Sequence, residues 1–312
     1  MTDLAAGRPD ARLPVEGAGV DERTPFRRFL SDYCESRLAV AAFVLLLLVI
    51  AAALLAPWIA PQNPFAIGKL DIMDARLPPL AHSSDGRMMH WLGTDSQARD
   101  MLSAILYGLR TSLFVGFVSV IAALAIGTTL GLIAAYFGGR IDSLIMRIVD
   151  LQLSFPAILV ALILLSVLGK GLDKVLIALI VVQWAYFARA ARAAALVERG
   201  KDYVEAARCL ALGGRRILFG HLLPNCLPPL IVIATIDIAH AIGLEATLSF
   251  LGVGVPVTEP SLGMLIANGF DYILSGRYWI STFPGIALAI ALVAINLVGD
   301  QLRDVLNPRN QR

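Results

Sequence analysis

The sequence has 312 residues, of which 57% are hydrophobic and 16% are charged. Soluble proteins carry about 25% charged residues, so this composition excludes an ordinary soluble enzyme and indicates a polytopic membrane protein. The net charge of +2 is too small to suggest a protein that binds nucleic acid. The three cysteines, Cys34, Cys209 and Cys226, have neither metal-ligand spacing nor an even count for disulfides, so we expect free thiols and no bound metal.

Runs without charged residues predict six membrane-spanning helices, because about 20 apolar residues are needed to cross a bilayer. In chain order the predicted spans are Leu38–Ala60, a segment within Thr111–Gly139, Leu151–Gly169, a helix from Val175 to the charged Arg189, Leu227–Leu248 and Phe283–Leu302. No cleavage-site pattern accompanies the first span, which is therefore expected to be an uncleaved anchor. The expected fold is all-α.

The positions of lysine and arginine favour one orientation of these spans. The side that holds both tails and the segment between spans four and five carries roughly twice as many of them as the other side, and cytoplasmic loops are enriched in such residues. We therefore expect cytoplasmic tails at 1–37 and 307–312, a first span at 38–60, an outside loop at 61–110 and a core of five spans at 111–306.

The outside loop is expected to contain one helix near its end. Thr94 and Gln97 have the spacing of a helix-capping box. An apolar stripe follows them, formed by Met101, Leu102, Ile105, Leu106 and Leu109. The stripe fits an interfacial helix that lies along the membrane, and it fits a helix packed against the bundle equally well.

Small residues recur every four positions in the second predicted span. They are Ala123, Gly127, Gly131 and Ala135, which together form a flat helix face. Such a face lets a second helix approach closely inside lipid. Tight packing within the bundle is the favoured interpretation, and an oligomer contact is the alternative.

The segment 190–224, between spans four and five, is the longest on the predicted cytoplasmic side. Asp202 followed three residues later by Glu205 is typical of a helix start, and a helix is expected over Tyr203–Leu212, up to Gly213-Gly214. The helix would carry a small apolar face made of Ala206, Ala207, Leu210 and Ala211. This face suits insertion into a groove of a soluble partner, while packing against the chain's own bundle is the alternative.

Three ionisable residues share one side of the fifth predicted span: Asp237, His240 and Glu245. A charge near the centre of a membrane costs about 3 kcal/mol on insertion scales, so this side is expected to face protein or water rather than lipid. An internally paired Asp237 and His240 is one interpretation, and the lining of a transport pathway is the other. Glu245, nearer the outer mouth, fits either.

No motif of an enzyme is present in the sequence. There is no phosphate-binding loop of the form G-x-x-x-x-G-K-[ST], because Gly169-Lys170 is followed by Gly171. The four histidines are scattered, and neither a serine nor a cysteine stands in a nucleophile motif. Energy for any transport must therefore come from another subunit or from an ion gradient.

Several motifs occur in an order that resembles one transporter family. Glu205-Ala206-Ala207 with Leu222-Leu223-Pro224 resembles the EAA loop of binding-protein-dependent ABC importer permeases. The segments 90–95, 99–100, 136–139, 244–252 and 299–304 resemble the C-type subunits of oligopeptide and dipeptide permeases. The resemblance covers about residues 30 to 310. One departure is Ala211, which stands where the family usually has glycine.

The resemblance implies a type I ABC importer permease with six transmembrane helices in a bacterial inner membrane. Such a subunit forms half of a pathway for di- or oligopeptides or peptide-like solutes, and is not itself an enzyme. Its implied partners are a second homologous permease, two ATPase subunits that carry ATP and magnesium, and an extracytoplasmic solute-binding protein. The residues expected to couple it to the ATPases are Asp202, Tyr203, Glu205, Ala206, Ala207, Leu210, Ala211, Gly213, Leu223 and Pro224. A proton-coupled secondary transporter that uses Asp237, His240 and Glu245 is the alternative function.

Overall fold

The computed structural model describes residues 31–306, except residues 32, 67, 69 and 257. The predicted C-terminal tail at 307–312 and all but the last few residues of the tail at 1–37 therefore lie outside the described residues. The helices are α1 Arg37–Leu54, α2 Ala56–Ile59, α3 Met101–Phe137, α4 Gly139–Leu153, α5 Ala157–Leu168, α6 Leu172–Arg199, α7 Asp202–Cys209, α8 Gly214–Ile217, α9 Leu223–Phe250, α10 Leu262–Phe270 and α11 Trp279–Leu306. A short hairpin pairs strand β1 (Ala81–His82) with strand β2 (Met89–His90), in antiparallel register.

Five helical stretches in the described part of the chain are long and apolar enough to cross a membrane. They are α1, α3, α6, the continuous stretch Gly214–Phe250 and α11. Helices α4 and α5 make a sixth span if the bent pair is counted as one. The prediction of an all-α polytopic membrane fold is therefore confirmed.

The third predicted span is not the straight helix Leu151–Gly169. Helix α4 ends at Leu153, α5 begins at Ala157, and the two are bent by 89°. Pro156 explains the break, because proline lacks a backbone N–H and disfavours helical geometry in the residue before it. With its 12 residues, α5 is only about 18 Å long and is too short to cross the hydrocarbon core alone.

Helices α6, α9 and α11 extend beyond the charge-free runs that predicted them, whereas α1 ends at Leu54, before the predicted end at Ala60. Helix α6 continues past Arg189 to Arg199, so the first part of segment 190–224 is helical and not a loop. Helix α9 begins at Leu223 and contains Pro228 and Pro229, and α11 runs on to Leu306. A charge-free run marks only the part of a helix that lipid can surround, and charged turns beyond it reach water.

A separate interfacial helix in the outside loop is a wrong prediction. The apolar stripe from Met101 to Leu109 is the first part of α3, which is a single helix of 37 residues. Its N-cap is Asp100, whose carboxylate accepts a hydrogen bond from the Ser103 backbone N–H at 2.9 Å, and not the predicted pair of Thr94 and Gln97. Met101, Ile105 and Leu109 instead pack in one cluster with Leu262, Leu265 and Trp279.

Buried charged residues fix the outside loop to the start of α3. The Arg99 guanidinium is fully buried and lies 2.7 Å from the Asp95 carboxylate. The Nδ1 atom of His90, in strand β2, lies 3.0 Å from a carboxylate oxygen of Asp100. The hairpin is therefore joined directly to the helix cap. A buried charge is tolerated only when it is paired in this way, and the arrangement holds the loop in one position over the bundle.

The small residues of α3 pack against α6 inside the chain, which confirms the favoured interpretation. A Cβ atom added to Gly127 would lie 2.6 Å from the Cβ of Phe187, and one added to Gly131 would lie 2.8 Å from the Cβ of Ala191. Both distances are shorter than van der Waals contact, so a larger side chain at either position would separate the two helices.

Candidate coupling surface and buried polar clusters

Helix α7 lies at the end of the bundle where α3 and α6 end. It starts at Asp202 directly after the C-terminal turn of α6, and its N-cap is Lys201. The helix therefore begins one residue before the predicted Tyr203, and both Asp202 and Glu205 lie in its first turn. Carboxylates in that turn are favourable because they face the positive end of the helix dipole.

The helix ends earlier than Leu212, the residue that the sequence predicted. Its last residue is Cys209, and Ala211 adopts a left-handed backbone conformation with φ of 52°. Glycine adopts this conformation at low cost and commonly follows a helix end. The departure noted at Ala211 thus lies at a position where the backbone favours glycine.

The two faces of α7 have different surroundings. Val204 and Ala207 are buried in a cluster that includes Ala135, Ala195 and Leu222 of the surrounding helices. Glu205, Ala206 and Leu210 are exposed, and Leu210 is 73% accessible. We call these three residues the α7 ridge. The expectation that Ala207 faces a partner is wrong, because the chain's own bundle covers it.

The other predicted coupling residues surround this ridge. Four of these residues are exposed: Asp202, Ala211, Gly213 and Pro224. Two others, Tyr203 and Leu223, are half-buried. The structure therefore brings the predicted set together at one end of the bundle and divides it into an exposed part and an anchoring part.

A hydrogen-bonded network ties α7 to the end of α6. The Tyr203 hydroxyl donates to the Glu198 carboxylate at 2.7 Å, and the Lys201 ammonium lies 2.6 Å from the other Glu198 oxygen. Burial, together with the bond to Glu198, raises the pKa of Tyr203 to about 12. The hydroxyl therefore keeps its proton at physiological pH and remains a donor to Glu198. Sequence reasoning missed Glu198, which belongs to no motif.

Two arginines attach the same region to the end of α3. Arg199 donates to the Ala135 carbonyl at 2.7 Å. The Arg208 guanidinium lies 6.0 Å from the centre of the Tyr136 ring, within range of a cation–π contact. Helix α7 is thus held against two membrane helices rather than hanging from a free loop.

Glu245 lies at a junction of three helices and is fully buried. Its carboxylate accepts hydrogen bonds from Ser112 of α3 at 3.0 Å and from Ser249 of α9 at 2.8 Å. Ser112 also accepts a bond from the backbone N–H of Leu262, the first residue of α10. Glu245 therefore joins α3, α9 and the start of α10.

Comparison with known proteins identifies this arrangement. The family described as "Binding-protein-dependent transport system inner membrane component" matches residues 127–312. The family described as "N-terminal TM domain of oligopeptide transport permease C" matches residues 24–79. The chain belongs to the binding-protein-dependent permease family.

Named relatives match this permease along almost its whole length. The dipeptide transport system permease protein DppC of Escherichia coli (strain K12) is 41% identical over 286 residues, which cover 92% of this chain and 94% of the relative. The di/tripeptide transport system permease protein DppC of Pseudomonas aeruginosa is 37% identical over 92% of this chain and 93% of the relative. A putative peptide transport system permease of Brucella suis is 44% identical over 85% of this chain and 86% of the relative.

A solved structure supports the fold. The MetNI methionine ABC transporter, in an inward-facing conformation, has a chain that superimposes with a TM-score of 0.54 and 24% identity. The superposition covers 66% of this chain and 97% of that one. The permease therefore has the type I ABC importer fold. Its family and its apolar helices make it a multi-pass inner-membrane protein.

The predicted polar side of the fifth span is not one cluster in the permease. His240 is exposed and forms no ion pair with Asp237 in the part of the chain that the structure describes. One Asp237 carboxylate oxygen is buried and has no hydrogen-bond partner among the described residues. Glu245, eight positions further along α9, belongs to the separate serine junction. The predicted structural pair of Asp237 and His240 is therefore not formed, and a role of Asp237 in the pathway stays a prediction.

Proposed function

We propose that this chain is the permease subunit of an ATP-driven importer of di- and oligopeptides. In this proposal it forms half of the translocation pathway together with a second, homologous permease. Two ATPase subunits bind ATP and magnesium and hydrolyse the nucleotide, and an extracytoplasmic protein delivers the peptide. The names of relatives that match over nine-tenths of the chain support the peptide class.

The observation that carries the ATPase contact is the α7 ridge. A short helix is fixed on one side by Val204, Ala207 and Tyr203 and offers an exposed leucine on its other side. An apolar helix face that is anchored from behind is suited to a groove in a partner protein. We assign this groove to an ATPase subunit, because the ridge coincides with the EAA-like segment.

The ridge then lies on the cytoplasmic side, together with both chain termini. The distribution of lysine and arginine supports this orientation. Hairpin β1–β2 and the start of α3 lie at the opposite end of the bundle, where they would face the solute-binding protein.

The docking proposal is tested with Leu210→Glu in the purified complex. A charge placed in an apolar contact should weaken ATPase binding at least about tenfold, because a buried unpaired charge costs more than 1.4 kcal/mol. The measurement is the amount of ATPase subunit that copurifies with the two permeases, with ligand-stimulated ATPase activity in parallel. Leu274→Glu is the matched control, since Leu274 is fully exposed at the other end of the bundle.

We expect Leu210→Glu to lose the ATPases while the permease pair stays intact, and Leu274→Glu to retain them. Normal ATPase stoichiometry and normal stimulation in Leu210→Glu would show that the α7 ridge is not the coupling surface.

A further inference from the structure

A large open cavity lies beside the described helices α1, α3, α9 and α11. Its volume is about 850 Å³, which falls within the range of about 300–1,000 Å³ that is typical of small-molecule sites. Leu54, Tyr107 and Arg110 line it towards the start of α3, and Thr235 and Ile238 line it deeper in the bundle. It therefore extends from the proposed outer side towards the middle of the membrane.

The cavity wall combines aromatic residues with two opposite charges. Phe114 and Phe117 of α3 face it and stay about half exposed, and Phe65 contacts Tyr107 with the ring centres 5.3 Å apart. Such rings give a rigid apolar surface that can take different side chains at a low entropy cost.

The two charged residues of the lining are Arg110 and Glu259. Neither side chain forms an ion pair or hydrogen bond with any described residue. Arg110 belongs to α3, and the packing of this helix in the bundle fixes the position of its backbone. Glu259 precedes Ser261, the N-cap of α10, and this helix start is joined to Ser112 of α3 through the Leu262 backbone N–H. Arg110 is therefore presented to the cavity by helix α3, and Glu259 by the turn that leads into α10.

We propose that this cavity binds a short apolar peptide in its zwitterionic form. The peptide α-ammonium group would lie at Glu259, its α-carboxylate at Arg110, and its side chains on the aromatic wall. Opposite charges that lack internal partners match a ligand with one charge of each sign, and charge-assisted hydrogen bonds to such groups are the stronger kind. The inference rests on the proposed peptide-import function and adds a peptide site within the permease itself.

The test measures binding of labelled Leu-Leu to the permease–ATPase complex in nanodiscs, without the solute-binding protein. Two blocked probes, N-acetyl-Leu-Leu and Leu-Leu amide, each remove one charge. We expect each block to weaken binding to the wild-type complex about tenfold, the effect of losing one charge-assisted contact. Glu259→Gln should bind Leu-Leu and its N-acetyl form equally well and still prefer the free carboxylate. Arg110→Gln should show the reverse pattern.

Matched control variants are Asp271→Asn and Arg87→Gln, which change exposed charges outside the cavity lining. Both should keep the full preference for the two free termini. The crossed pattern depends on charge recognition, so a general loss of stability in a cavity variant would not reproduce it.

The site is overturned if the wild-type complex binds no Leu-Leu without the solute-binding protein, or if both cavity variants keep both preferences. It is also overturned if either variant loses the second permease, because the cavity is then a contact between permeases. Failure of the importer proposal gives a different result: the complete system with ATP and solute-binding protein would then transport no peptide. Transport of peptide without the crossed pattern removes only the cavity site.

Discussion

Glu245 shows how one side chain can fix the relative positions of three helices. It is fully buried, it receives hydroxyl hydrogen bonds from Ser112 and Ser249, and Ser112 in turn holds the start of α10. The backbones are also in contact here, since a Cβ atom on Gly108 would lie 3.3 Å from the Leu262 backbone nitrogen. We therefore interpret Glu245 as a structural junction rather than as part of a proton pathway.

Replacing Glu245 with alanine should destabilise the permease by about 2–4 kcal/mol, because it leaves a small cavity and unpartnered serine hydroxyls. Glu245→Gln keeps the shape and most of the hydrogen bonds and should cost less. The measurement is thermal unfolding of the purified complex in detergent. Asp271→Ala is the control, since this aspartate is exposed and its loss should change stability by no more than about 0.5 kcal/mol. Equal stability of Glu245→Ala and Asp271→Ala would contradict the junction.

Residue roles were only partly predictable from the sequence. The resemblance placed Ala207 with the coupling residues, but a motif does not say which side of a helix its own bundle will cover. Asp237, His240 and Glu245 share one side of a helical wheel, yet their neighbours come from other parts of the chain. Glu198 gave no signal, because its role depends on Tyr203 folding back onto α6.

At the scale of elements, the attachment of α7 to α6 is what could transmit movement. The helix has only eight residues, so isolated it would be unstable in water. The Tyr203–Glu198 hydrogen bond and the buried Val204 and Ala207 hold it in place. A push on the α7 ridge would therefore reach the long helix α6 directly.

Tyr203→Phe removes one hydroxyl and keeps the aromatic ring in its cluster. We expect the ATPases to stay bound while the amount of peptide transported per ATP hydrolysed falls about twofold or more, because a hydrogen bond to a charged group is worth about 1.5–3 kcal/mol. Since the pKa of Tyr203 is about 12, the difference should be the same from pH 6 to pH 9. Tyr186→Phe, at a tyrosine that is half exposed, should leave the ratio unchanged. An unchanged ratio in Tyr203→Phe would show that this bond does not transmit movement.

The elements predicted best are the membrane helices, because contact with lipid restricts their residues to apolar types. Charge-free runs located the membrane helices, but they could not show that α3 starts at Met101 or that Pro156 divides the third span. The first of these depends on the buried pairs Asp95–Arg99 and His90–Asp100, which bring the outside loop onto the helix start. Such long-range pairs are not visible in a local pattern.

At the scale of the whole molecule, the two ends of the helical bundle carry different structural features. One end carries the α7 ridge, anchored to α3 and α6, and the other carries the hairpin, the Glu245 junction and the mouth of the apolar cavity. Composition and charge distribution predicted the membrane class and an orientation, because both follow from the cost of placing charge in lipid. The placement of these features at the two ends could be seen only in the tertiary structure.

The central claim is that ATP hydrolysis in partner subunits drives peptide import through this chain. The most direct measurement is uptake of labelled Leu-Leu into proteoliposomes that contain the complete complex and the solute-binding protein, with ATP supplied on the ATPase side. The account predicts uptake that requires ATP and the solute-binding protein, stops with vanadate and is unchanged by a proton uncoupler. Uptake that resists vanadate and collapses with the uncoupler would contradict it and would support a proton-coupled transporter.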